Sequence, residues 1–219
     1  MKKGICTLYI IRHGETEWNR DKIVMGQKDA PLTGSGVCQA QELGALLAPI
    51  DFSAAYTSDS PRAFITAKIV SGARLIPLRK SSQLRERHFA RFEGMPSAEY
   101  REKNRASLLA KDALSEEKRW DFKIAGCVES DASLVKRVLS MLRRIALIHK
   151  GEKVLVSTHG GPIRFLLMKL GFAPYGSLPG GSFKNCGYIV VGSDGTEFNI
   201  IIEVHGVSTH ESTDKKSRG

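Results

Sequence analysis

The sequence predicts an α/β domain, a three-layer α/β/α sandwich around a mostly parallel central sheet. Three observations predict it. Short apolar, β-branched runs alternate with longer segments of helical period along the 219 residues. Two of those runs, Thr7–Ile11 and Lys153–Ser157, have the apolar character of strands covered on both faces, and both lead into histidine–glycine turns. No repeat, low-complexity tract or membrane-length apolar stretch interrupts the pattern.

The elements follow in order. Thr7–Ile11 is the first strand and ends on Arg12-His13-Gly14. Leu32-Thr33-Gly34 leads into a helix whose period carries Val37, Ala40, Leu43, Leu46 and Leu47, stopping near Pro49. Ala54–Thr57 is a second strand, followed by Ser60 as a cap and Pro61 as the first residue of a helix to about Val70. Arg74–Pro77 is expected as a short third strand. Residues 95–123 are polar and helix-prone with weak periodicity, and are expected as an insertion over the body of the domain. Residues 131–149 form the best amphipathic helix: Leu134, Val138, Leu142 and Ile145 share a stripe widened by Val135, Leu139 and Ile148. Lys153–Ser157 is a strand before Thr158-His159-Gly160-Gly161, and Pro162 opens the helix Ile163–Leu170. Gly187–Val191 and Phe198–Val204, joined through Ser193-Asp194-Gly195, read as a hairpin. The domain is thus expected to span residues 1–207, with 208–219 a polar, disordered tail.

Hydrophobic residues at 42% and charged residues at 26% suit one soluble globular domain of this length. Ile5–Ile11 is too brief, and too broken by Arg12, for a secretory signal, so a cytoplasmic location is expected. Cys6, Cys38, Cys127 and Cys186 are too scattered for a zinc ribbon or a disulfide framework and read as small hydrophobes. A net charge of +10 favours an anionic partner. Lys136, Arg137, Arg143, Arg144, Lys150 and Lys153 face only Glu152 within 136–153, a pattern that reads as a solvated helix face. With no aromatic stacking platform and no binding motif, nucleic acid is not expected as the partner, and neither is a membrane.

Ligands of open α/β sheets bind beyond the carboxyl ends of the strands, where Arg12, His13 and His159 fall. A histidine directly after a buried strand has its backbone fixed and its ring aimed. Arg62 stands at a helix start, where free N–H groups attract anions, and both arginines offer planar forks of donors to phosphate oxygens. Two arginines and two histidines at strand ends make a cationic cup for a transferring phosphoryl group. Zinc held by His13, His159 and Glu86 is the rival arrangement, but the fixed charges of Arg12 and Arg62 repel a cation, so no metal is expected.

The chain also resembles the histidine phosphatase superfamily, in the branch of cofactor-dependent phosphoglycerate mutases and fructose-2,6-bisphosphatase-like phosphatases. The resemblance is carried by R-H-G-E-T-E-W-N at 12–19, G-Q-K-D-A-P-L-T-G-S-G at 26–36 and S-D-S-P-R-A at 58–63. It continues through L-R-E-R at 84–87, E-G at 93–94, E-S at 129–130 and S-T-H-G-G at 157–161. It implies a phosphoglycerate mutase-like fold and a phosphohistidine formed on His13. Arg12, Arg62 and His159 would hold the phosphoryl oxygens, with Glu86 as general acid and then base. Asn19, Gln27, Thr16 and Gly160 would line the phosphate and substrate side, and no cofactor is implied. The chain departs from the pattern at Ala90, where many such phosphatases carry glycine, and at Val128, which replaces the glycine before the E-S pair. His88, His149, His205 and His210 match no catalytic position and are expected at the surface or in turns.

The expected activity is hydrolysis of a small phosphorylated metabolite, because the stretch from Glu86 to Glu129 is short for a mutase lid and lacks its arginine pair and proline run. A phosphoglycerate mutase is the alternative. A basic binding module without catalysis is a third reading, and it has no use for the full set Arg12, His13, Arg62, Glu86 and His159.

Overall fold

A computed structural model describes residues 4–72, 74 and 76–207, with the side chains of 199–202 left aside. Leu75 and the tail 208–219 lie outside the described residues. Six strands, β1 (Cys6–Arg12), β2 (Ala54–Ser58), β3 (Leu78–Ser81), β4 (Lys153–Thr158), β5 (Phe183–Ser193) and β6 (Phe198–Val207), form one sheet in the order β3-β2-β4-β1-β5-β6. The first four strands pair in parallel, whereas β5 runs antiparallel to β1 and β6 antiparallel to β5. The mostly parallel sheet is as expected.

Side chains alternating along the strands build two cores. On one face Leu8, Ile10, Val154 and Val156 meet Leu134, Leu142 and Ile145 of α7 (Asp131–Ile148) and Ile163 and Leu166 of α8 (Gly160–Lys169). On the other, Ile11, Ala55 and Leu155 meet Ala40 and Leu43 of α2 (Gly34–Leu46) and Val70 of α3 (Pro61–Ser71). Each fully buried Leu or Ile stabilises this three-layer arrangement by about 1.5–3 kcal/mol. The helix-prone residues 95–123 carry α4 (Ser97–Lys103), α5 (Arg105–Asp112) and α6 (Glu116–Asp121); α1 (Glu17–Arg20) follows the first strand.

Asp131 ties the insertion to the body. It is fully buried at the start of α7, pairs with Arg87, and accepts Lys111 Nζ of α5 at 2.6 Å and the Tyr175 hydroxyl. Trp120 of α6 packs on Tyr175 and Phe165. Val128, in place of the glycine, is buried with Val24, Phe92 and Tyr100 in a third apolar cluster.

Several expectations need correction. The third strand is Leu78–Ser81, later than Arg74–Pro77: Pro77 lacks an N–H and takes part only through its carbonyl, which accepts Ala55 N at 3.3 Å. The last helix starts at Gly160, two residues before Pro162, and β5 begins at Phe183 instead of Gly187. Ile148 is exposed and not part of the buried stripe, because the helix ends there, beyond the sheet. Cys38 and Cys127 are exposed instead of serving as small core residues. His149 is in the turn that ends the long helix, as one of the two expectations had it, but it is buried, its ring bonded to Tyr56 Oη at 3.1 Å and Glu152 at 2.8 Å. His210 lies outside the described residues.

Candidate active site

The site forms where the parallel strands end. The His13 N–H donates to Thr158 O at 3.1 Å, which carries the β1–β4 ladder one residue past the strand and fixes the backbone beneath the ring. The His13 carbonyl accepts Cys186 N at 3.3 Å and Asn185 Nδ2 at 3.1 Å from β5. Gly14 and Gly36 make this possible from both sides: a side-chain carbon on Gly14 would stand 2.4 Å from Gly36 O, and one on Gly36 would stand 2.0 Å from Glu15 O. The glycines of the first two motifs therefore let the His13 turn lie directly on the start of α2.

His13 Nδ1 lies 2.8 Å from Gly14 O. A carbonyl only accepts, so Nδ1 carries the proton and Nε2 keeps its lone pair. Burial, then Arg62 and Arg12, hold the imidazole well below its ordinary pKa, so the ring is neutral and nucleophilic. The His159 ring sits edge-on to His13 with centroids 5.2 Å apart. Its Nε2 meets Ser58 Oγ at 2.9 Å, and it too is held well below its ordinary pKa, by burial and then by Arg62.

Arg62, 1% exposed, is held by the loop before it: its guanidinium donates to Gly26 O, Lys28 O and Asp29 Oδ1, each at 2.7 Å. That loop is itself pinned by Glu93, whose carboxylate accepts Gln27 N at 3.0 Å and Lys28 N at 2.9 Å. Arg12 donates to Phe183 O, and burial lowers its pKa to about 10 against the opposing pull of Glu86. Gly160 gives Arg12 room, since an added carbon there would stand 3.2 Å from Arg12 Nε.

Two buried donors in this cluster, Arg12 Nε and Arg62 Nε, have no protein partner, and neither has the buried ring nitrogen His159 Nδ1. Buried donors are nearly always bonded, so two guanidinium donors left open at one place mark a ligand that accepts. A phosphoryl group, tetrahedral and anionic, supplies such oxygens, whereas a cation would be repelled by both guanidiniums. Among the described residues no group of His, Cys, Asp and Glu is arranged to hold a metal ion.

Glu86 is half-buried and both of its carboxylate oxygens accept backbone N–H groups. Its Oε2 accepts Gly161 N at 2.9 Å at the start of α8, and its Oε1 accepts Arg87 N at 2.7 Å. Thr16 caps α1, its hydroxyl accepting Asn19 N at 3.2 Å and donating to Asn19 Oδ1, so it is turned inward and fully buried. Asn19 Oδ1 also accepts Asn185 Nδ2 at 3.1 Å, and Gln27 Oε1 accepts Arg85 at 3.3 Å. Gln27 and Arg85 line an open cavity of about 510 Å³ with Ser82, His88, Lys123 and Ser133. The structure thus brings His13, His159, Arg12, Arg62 and Glu86 together, puts Asn19 and Gln27 beside them, and places Thr16 one step behind.

Sequence reasoning missed Ser58, Asn185, Asp29 and Arg137 as supports. Ser58 and Asp29 lie inside or beside quoted motifs, whereas Asn185 has no local signal. Arg137 was expected on a solvated face; it is four-fifths buried and bonded throughout.

Fold and site together define an α/β protein with a buried histidine pair and two buried arginines gathered at the carboxyl ends of its parallel strands. The family model of the histidine phosphatase superfamily (branch 1) matches residues 8–202. The chain belongs to that superfamily. It is 37% identical to phosphoglycerate mutase-like protein 4 of Arabidopsis thaliana, over 73% of this chain and 68% of that one. It is 33% identical to the metal-independent phosphoserine phosphatase of the same plant, over 78% and 71%. Among solved structures, Bacillus stearothermophilus YhfR superposes with a TM-score of 0.80 at 32% identity, covering 94% of this chain and 98% of that one.

Proposed function

We propose that this protein is a phosphomonoester hydrolase acting through a phosphohistidine on a small phosphorylated metabolite. The carrying observation is the neutral His13 with its Nδ1 proton held by Gly14, set beside the buried, unpartnered Nε donors of Arg12 and Arg62.

His13 Nε2 attacks phosphorus and the bond to the ester oxygen breaks. Arg12, Arg62 and His159 surround the equatorial oxygens, and the Nε–H groups of the two guanidiniums stabilise their charge. Glu86, as general acid, gives a proton to the leaving alkoxide. Water then attacks the phosphohistidine, Glu86 takes its proton, the P–N bond breaks, and inorganic phosphate and neutral His13 result. Asn19, Gln27 and the Gly160 backbone border the phosphate, and Thr16 acts by fixing Asn19. The reaction needs no metal, because the two guanidiniums supply the charge, and a cytoplasmic site of action suits a phosphometabolite substrate. Hydrolysis is favoured over mutase chemistry by the short stretch from Glu86 to Glu129, which lacks the arginine pair and proline run of a mutase lid.

A screen over phosphorylated metabolites should show multiple turnover without a bisphosphoglycerate primer. Acid-labile, alkali-stable label should be trapped on wild type and absent from His13→Ala. Equal turnover by the variant overturns the reading, and primer-dependent isomerisation of phosphoglycerate with slow hydrolysis assigns the mutase instead.

A further inference from the structure

We infer that Arg137, with Glu129, is a positioning residue for Glu86, locking the irregular loop 85–89 at the height proton transfer requires. The inference rests on the acid role proposed above for Glu86. Between the 3₁₀ turn Ser82–Leu84 and a second at Ala90–Phe92, this loop has no regular structure to hold it. Arg137, on α7, holds it instead with every donor a guanidinium has. Nη1 donates to Gln83 O at 2.9 Å and Arg85 O at 2.6 Å, and Nη2 to Glu86 O at 2.8 Å. The two remaining donors form a fork on Glu129, Nε to Oε1 at 2.7 Å and Nη2 to Oε2 at 2.9 Å.

Glu129 closes the other end of the loop. Its Oε2 accepts His88 N at 3.2 Å and its backbone N–H donates to His88 O at 3.0 Å. The loop and the turn before it are therefore bonded through the carbonyls of 83, 85, 86 and 88 to one helix and its entry turn. With the backbone set, the Glu86 carboxylate meets Gly161 N and Arg87 N. Five donors meeting five acceptors is a fork geometry that a lysine, with a single ammonium, cannot reproduce. A displacement of about 1 Å at a reacting group can cost 10²-fold in rate.

The test separates positioning from substrate contact, since Glu129 and Arg137 also border the open cavity. Arg137→Lys is assayed on an alkyl phosphate, whose leaving oxygen needs a proton, and on p-nitrophenyl phosphate, whose leaving group does not. The expected result is a fall in kcat of about 10- to 100-fold on the alkyl ester and about threefold or less on the aryl ester, with KM unchanged. In a Glu86→Gln background, Arg137→Lys should add nothing. Additive losses in the double variant, or a KM rise shared by both esters, overturn the inference. If Glu86→Gln alone leaves alkyl hydrolysis intact, the acid assignment falls and the clamp falls with it. Should Arg137→Lys not fold, Glu129→Gln, which keeps the shape and weakens the fork, is read in the same way.

Discussion

At the residue scale, the chemistry depends on where single protons and single carbons sit. His13 is useful because one carbonyl, Gly14 O, settles its tautomer and two buried guanidiniums keep it neutral. Gly161 has the same weight for Glu86. A side-chain carbon there would stand 2.1 Å from Glu86 Oε1, the far end of a flexible side chain, so the helix can keep its place only if the carboxylate leaves. Gly161→Ala should therefore change stability by less than about 1 kcal/mol while cutting kcat on alkyl phosphates toward the loss of removing the acid, about 10²–10⁴-fold. Steady-state kinetics beside a denaturant titration read both; unchanged kcat would detach Glu86 from the chemistry.

At the scale of elements, the segment from Glu86 to Glu129 departs furthest from a regular scaffold, and the chain's own departures from its family fall there. Ala90 has φ +52°, in the left-handed region that L residues other than glycine enter at a cost of about 1–2 kcal/mol. That explains why glycine suits this position in the resembling phosphatases, and alanine here stores strain beside the acid loop. Ala90→Gly should stabilise the protein by about 1 kcal/mol, raising Tm by about 2–4 °C on calorimetry. A lower Tm would show that the added backbone entropy outweighs the strain relieved. Val128 is the opposite case, a departure that the fold absorbs by burying the side chain against Phe92 and Tyr100.

At the scale of the whole molecule, the buried cationic site couples stability to pH. His13 and His159 have folded pKa values well below 6.5, so below pH 6.5 the unfolded chain binds protons that the folded chain refuses. Stability is then fully present above about pH 6.5 and is lost as pH falls from there toward the depressed folded values. Each imidazole contributes a slope of up to about 1.4 kcal/mol per pH unit in that window. Denaturant midpoints should decline between pH 6.5 and 5 in wild type and decline less steeply in His159→Gln. Equal slopes would show that His159 is not held neutral.

Much of this was legible in the sequence. The apolar runs, the amphipathic stripe of α7 and the proline-led start of α3 are local patterns, and burial on the expected faces followed from them. The spaced motifs brought Arg12, His13, Arg62, Glu86 and His159 to one sheet edge because parallel strands end on the same side. Tertiary structure decided the rest. Whether Arg137 points to water or into the acid loop, whether Thr16 faces a ligand or caps α1, and whether His149 is exposed depend on which backbone carbonyl or side chain stands opposite. Those partners lie up to 93 residues away along the chain, as Tyr56 does from His149. By itself the sequence determined the sheet, its covering helices and which residues gather at the sheet edge. Only the folded chain decided how each group is held, because hydrogen-bond direction is a property of two residues at once.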